Sequence, residues 1–268
     1  MLRFNKPFAQ PSDYDATTKD EYMDITIENA FYNATLIALD FAYNLTLQDP
    51  QLNESQIFFG GHSEGAQYAP SICQERQSIL RGCLVMASVV EGMPSVAPWQ
   101  NYFLNDLDVA LLNQSYACLE YFNNPYFGPP DDLVECPINY AYLYNEYWLS
   151  MRAYNTSPNV VEQLTMPVLV MQGTADYNVP YFATPPYPFY GWPLKTFMSE
   201  DGWYDRFAGS SRVSLAVFSD LCHLFYKTEL NNASLSTPDA ELAKNNVNQS
   251  VVLNISDWIT AIVNNSIG

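Results

Sequence analysis

Four short apolar runs, each closed by a glycine or a polar turn, constrain this chain more than anything else in it. Gln56-Ile57-Phe58-Phe59 enters Gly60-Gly61, and Gly82 to Val90 is stopped by Gly92-Met93-Pro94. Pro167 to Gln172 runs into Gly173, and Arg212 to Phe218 is the last. Runs this short and this continuous read as strands buried on both faces, at about 56–60, 82–90, 167–172 and 212–218. Between them the period changes. From Glu21 to Tyr43, Ile25, Ile27, Ala30, Phe31, Ala34, Ile37, Ala38 and Phe41 recur at threes and fours, and Asp49-Pro50 closes the segment. Further helices are expected over Glu64–Ile79 and Val251–Val263. Strand, helix, strand, insertion, strand, strand, helix is an α/β order and implies a mostly parallel sheet.

The insertion divides the chain into three parts: a first core part (1–92), an insertion (93–162) and a second core part (163–268). Residues 93–162 carry 14 aromatics, eight acids and one base, Arg152, interrupted by Asn123-Asn124-Pro125 and Gly128-Pro129-Pro130. That composition reads as a helical lid with loops. A Pro- and aromatic-rich loop is expected from Tyr177 to about Phe207.

Eleven Lys+Arg against 29 Asp+Glu give a net charge of −18. Such a chain offers no basic stripe for nucleic-acid phosphates and no polybasic face for a lipid surface. No run reaches the roughly 18 apolar residues of a membrane span. Asn-x-Ser/Thr occurs nine times, at Asn33, Asn44, Asn53, Asn113, Asn155, Asn232, Asn248, Asn254 and Asn264. That is about three times what the composition would give by chance, and it points to a glycosylated protein of the secretory pathway. Residues 1–7 contain no apolar segment of the signal-peptide kind. Five cysteines are compatible with an oxidising compartment: Cys73 and Cys83 could bridge a helix end to the next strand, Cys118 and Cys136 could staple the insertion, and one thiol is left over.

Gly61-His62-Ser63-Glu64-Gly65 lies between an expected strand and an expected helix. Glycines on both sides let the backbone turn sharply, so that the Ser63 hydroxyl stands clear of the sheet at a helix N-terminus. The Glu64 amide then points where an oxyanion would develop. A nucleophilic serine needs a base, and the chain has two histidines. His62 adjoins Ser63, so their side chains diverge; His223, in the loop after the last strand, is the candidate. The orienting acid should fall between them in sequence, and Asp176, directly after the strand 167–172, is placed for it. Asp201, Asp205 and Asp220 are the competing loop acids. No metal-ligand spacing is present, and no cofactor is implied.

The elbow, continued by Ala66 and by Ala69-Pro70, resembles the α/β-hydrolase superfamily, and in particular esterases of the dienelactone-hydrolase and prolyl-oligopeptidase-like group. Tyr147-Trp148 with Tyr154, the stretch Pro167 to Val179, and His223-Leu224-Phe225 are similar to the same group, and Trp148 and Tyr177 become candidate substrate contacts. The resemblance implies an α/β-hydrolase fold and a catalytic triad of Ser63, Asp176 and His223. It also implies an eight-stranded sheet whose fifth strand precedes the elbow. Residues 1–62 supply one helix and no strand for the earlier positions, so the chain is expected to correspond to the C-terminal two-thirds of such an enzyme. It would then lack the second oxyanion donor and leave Gln56–Phe59 as an open edge that invites pairing between chains. The acidic lid disfavours anionic substrates, including coenzyme A thioesters, and a neutral or apolar ester fits. A serine aminopeptidase that holds a free amine through Glu91, Glu146 or Glu162 is the alternative within the fold. A non-catalytic or incomplete secreted glycoprotein is the alternative outside enzymology.

Overall fold

The structure, a computed structural model, describes residues 26–49, 51–52, 56–92, 96, 150, 154, 157–176, 178–181, 195–227 and 247–265. Strands β1 (Phe58–His62), β2 (Gly82–Met86), β3 (Val168–Gly173) and β4 (Val213–Phe218) form one sheet in the order β1-β2-β3-β4. Every pairing is parallel, with Phe59 opposite Cys83, Val85 opposite Val170, and Val170 opposite Leu215. Each expected strand is present, although β2 stops at Met86 rather than running on to Val90, and the sheet is parallel as the apolar runs imply. Among the described residues β1 pairs with β2 alone; any strand within residues 1–20 lies outside them.

Alternation along the strands fills both faces. Val85, Val168, Val170 and Val213 point to one side, where they pack with residues of α1 (Asn33–Gln48), α2 (Glu64–Glu75), α3 (Ser157–Gln163) and α4 (Trp203–Phe207). Leu84, Leu169 and Met171 point to the other and meet Val251, Ile255 and Trp258 of α5 (Gln249–Asn265). A Cβ on Gly82 would come within 2.6 Å of the Trp258 ring, so glycine there sets how closely α5 lies on the sheet. A disulfide joins Cys73, near the end of α2, to Cys83 in β2, the bridge that the sequence allows. Cys222 is a free thiol; Cys118 and Cys136 lie outside the described residues.

Three local expectations are corrected. The first helix does not keep the apolar face read from the sequence. Ile37 and Phe41 are 70% and 55% exposed, while Thr35, Leu36 and Leu39 are buried. The cause is a π-helical turn over Glu28–Tyr32, where the Asn33 N–H donates to the Glu28 carbonyl five residues back. One extra residue in that turn advances every later side chain by one position, so positions 35 and 39 replace 34 and 38 against the core. The helix also runs on to Gln48. The expected loop 177–207 ends in a helical turn, α4, because Trp203 is fully buried and donates from Nε1 to the Ser88 carbonyl at 3.2 Å. The expected second helix stops at Glu75, followed by turns. Most of the expected lid lies outside the described residues, and its last segment, α3, packs on α2.

Candidate active site

Parallel strands direct their C-terminal ends to one edge of the sheet, and three of the predicted residues follow three of those ends. β1 stops at His62, and Ser63 adopts φ 57°, ψ −124°, outside the regions that ordinary residues populate. Such strain persists only where the surroundings enforce it. Here the Ser63 N–H donates to the Met86 carbonyl at 2.9 Å, its own carbonyl accepts from Ala66 at 2.9 Å, and α2 begins at Glu64. The turn is tight because position 61 is glycine: a Cβ there would stand 2.1 Å from the Gly65 carbonyl oxygen. A Cβ on Gly65 would meet nothing within 4 Å, so space does not require the second glycine of the motif.

The turn after β3 is sewn to the segment after β4. Thr174 and Ala175 donate their N–H groups to the Phe218 and Leu221 carbonyls, both at 3.0 Å. Gly173 sits so close to Leu221 that a Cβ would come within 2.2 Å of its carbonyl oxygen. This fixes Asp176 relative to His223, whose Nδ1–H donates to Asp176 Oδ2 at 2.9 Å. The Asp176 side chain is 0% exposed and that of His223 12%. Oδ2 also accepts from Gln172 Nε2 at 2.9 Å, and Oδ1 accepts from the N–H groups of Asn178 (3.0 Å) and Val179 (2.9 Å). Four donors offset the desolvation of this carboxylate. With Nδ1 occupied as a donor, the neutral His223 ring leaves Nε2 free to accept a proton.

The competing acids are engaged elsewhere. Asp201 is 65% exposed beside Lys195, Asp205 accepts from the Asp201 N–H, and the exposed Asp220 donates its N–H to Thr174 Oγ1. The Ser63 hydroxyl and His223, expected as partners, are not hydrogen-bonded to each other among the described residues. Catalytic hydrogen bonds are often loose before substrate arrives. Trp148 and Tyr177 lie outside the described residues.

Two residues at this edge escaped the reading of the sequence. Gln172, 1% exposed, donates from Nε2 to Asp176 Oδ2 and, at 2.8 Å, to the Val179 carbonyl. Its signal was present: a lone amide in the otherwise apolar run Val168–Met171 must find partners inside. His62 stands against His223, ring centroids 4.7 Å apart, with Nε2 2.8 Å from the His223 carbonyl. Burial first, and then the neighbouring His223, hold His62 below the usual histidine range.

The chain is 24% identical over 206 residues to the esterase EstD of Thermotoga maritima, an alignment covering 76% of this chain and 43% of that protein. This likeness to an esterase supports the resemblance to the α/β-hydrolase superfamily. An elbow serine after β1, an acid after β3 and a histidine after β4 stand in this superfamily's chain order. No protein-family model matches the chain. Among solved structures it is similar to the Paleococcus ferrophilus monoacylglycerol lipase (14% identity, TM-score 0.42, 85% of this chain and 74% of that one). It is likewise similar to Est1E from Butyrivibrio proteoclasticus (14% identity, TM-score 0.44, 85% and 68%). The chain spans less than half the length of the curated relative it matches. Among the described residues no cluster of His, Cys, Asp and Glu is arranged to hold a metal, and no helix is long and apolar enough to cross a membrane.

Proposed function

We propose that this chain carries the catalytic machinery of a serine hydrolase that cleaves neutral carboxylic esters through an acyl-enzyme on Ser63. The observation that carries the reading is the Asp176–His223 hydrogen bond, 2.9 Å and buried, at the sheet edge where the elbow presents Ser63. In this mechanism His223 Nε2 takes the Ser63 proton as Oγ attacks the acyl carbon. Asp176 holds the ring in the tautomer that accepts at Nε2 and stabilises the imidazolium that forms. The Glu64 amide, in the first turn of α2, stabilises the oxyanion. His223 then returns the proton to the departing alcohol. Water, activated by the same nitrogen, releases the acid and regenerates Ser63.

The name of the relative supports an ester, and the charge of the 93–162 segment supports a neutral one. Two acids weighed for holding a substrate amine are already paired, Glu91 with Lys195 at 3.0 Å and Glu162 with Arg206 at 2.6 Å. That favours ester over peptide hydrolysis. We also propose that the protein matures in the secretory pathway. The Cys73–Cys83 disulfide and the exposure of Asn33, Asn44 and Asn264 support this reading. The test of function is turnover of neutral esters of graded acyl length by the full chain and by Ser63→Ala. Turnover lost in the variant supports the reading; turnover retained at the wild-type rate refutes it.

A further inference from the structure

We propose that His62, the residue before the nucleophile, is a positioning residue that pins the backbone of His223 and thereby aims its ring at Ser63. The proposal rests on the reading of Ser63, Asp176 and His223 as a triad. It begins from the contact of His62 Nε2 with the His223 carbonyl oxygen at 2.8 Å, made between residues 161 positions apart. A carbonyl can only accept, so the proton sits on Nε2 of His62. Burial and the neighbouring imidazole keep the ring neutral. A neutral His62 can face His223 without opposing the positive charge that His223 gains when it takes a proton.

The placement of the two histidines gives this bond its leverage. Among the described strands β1 is first in the sheet order, and His223 follows β4, the last. The contact therefore ties the elbow strand to the histidine loop over the ends of the two strands between them. His62 is itself fixed by its register opposite Met86 in β2 and by edge contact with Phe225, ring centroids 6.1 Å apart. The loop closes on itself through Cys222 N–H to the Tyr226 carbonyl and Phe225 N–H to the Cys222 carbonyl. Neither bond uses the His223 carbonyl. Asp176 holds the imidazole at Nδ1, which leaves rotation about that hydrogen bond free. A second fixed point on the backbone of the same residue removes it, and the direction of Nε2 is then set.

The experiment compares His62→Gln, His62→Asn and His62→Phe with wild type and with Ser63→Ala in the full chain. Readouts are kcat and KM on a neutral ester, with thermal melts alongside. The Gln amide nitrogen reaches where Nε2 stood; the Asn amide is too short, and Phe keeps the ring without the donor. The expected result is a fall in kcat of about 10–100-fold for Asn and Phe with KM little changed, as for a misaimed base. Gln should recover most of the loss. Wild-type kcat in the Phe or Asn variant, or a Gln variant as slow as a folded Asn variant, would overturn the proposal. If Phe fails to fold, the Gln–Asn contrast decides by itself. Failure of the underlying triad reads out separately, as activity that survives Ser63→Ala.

Discussion

Replacing Gln172 by Met tests whether the buried amide holds Asp176, the proposed catalytic acid, in place. The substitution keeps the volume and removes one donor that serves two acceptors, Asp176 Oδ2 at 2.9 Å and the Val179 carbonyl at 2.8 Å. Both acceptors are sealed from solvent, Asp176 with a 0% exposed side chain and Val179 5% exposed. A lost hydrogen bond to a charged group costs about 1.5–3 kcal/mol, and an orphaned buried carbonyl about 1–3 kcal/mol. The sum is about 2.5–6 kcal/mol of stability, or a melting temperature lower by on the order of 10 °C. Gln172→Glu separates the hydrogen bond from packing. Beside Asp176 the introduced carboxyl keeps its proton to higher pH in the folded state than in the unfolded chain, where it titrates near about 4.3. The folded state therefore binds more protons, and the deficit of this variant against wild type grows as pH rises above that value. The assay is denaturant unfolding of the three proteins from pH 5 to pH 8. A flat deficit is expected for Met and one that deepens with pH for Glu. Unchanged stability in Met, or parallel flat deficits in both, would refute the reasoning.

Asp176→Asn should lower kcat by about 10⁴-fold, whereas Asp201→Asn, at an exposed ion pair, should leave it unchanged; the reverse pattern in steady-state kinetics would move the catalytic acid. Cys73→Ser should cost about 2–3 kcal/mol in denaturant unfolding, the value for so short a closed loop. Wild-type protein titrated with a thiol reagent under denaturing, non-reducing conditions should show Cys73 and Cys83 unreactive. Because the folded state holds His62 below its ordinary range, the unfolded chain takes up a proton there first as pH falls below about 6.5. Stability is lost on that side, and His62→Gln should flatten the acid limb of a stability–pH curve between about pH 6.5 and 5.

What the sequence made legible was what rests on local repetition. Continuous apolar runs announce strands covered on both faces, and the strands found begin and end near those runs. A glycine-flanked serine between a strand and a helix announces the elbow because close packing at residue 61 tolerates no side chain. Asp176 stood out from three other acids by its place after a strand, whereas the Cys73–Cys83 bridge was only one of several pairings that five cysteines allow. The phase of the first helix was not legible, since one π-helical turn rotates all later residues while leaving their spacing intact. Nor was the helical turn at Trp203, set in a proline- and aromatic-rich stretch, because the buried indole and its bond to Ser88 are tertiary contacts. Pointing His62 away from Ser63 followed from alternation along the strand, but its partner 161 residues away could not be read from the sequence.

The most direct test of the central claim is mass spectrometry of the full chain after reaction with a fluorophosphonate, an irreversible mimic of the acyl-transfer transition state. One adduct is expected, on the peptide containing Ser63, absent from Ser63→Ala and strongly slowed in His223→Ala. An adduct on another residue, or equal labelling of Ser63→Ala, would contradict that claim.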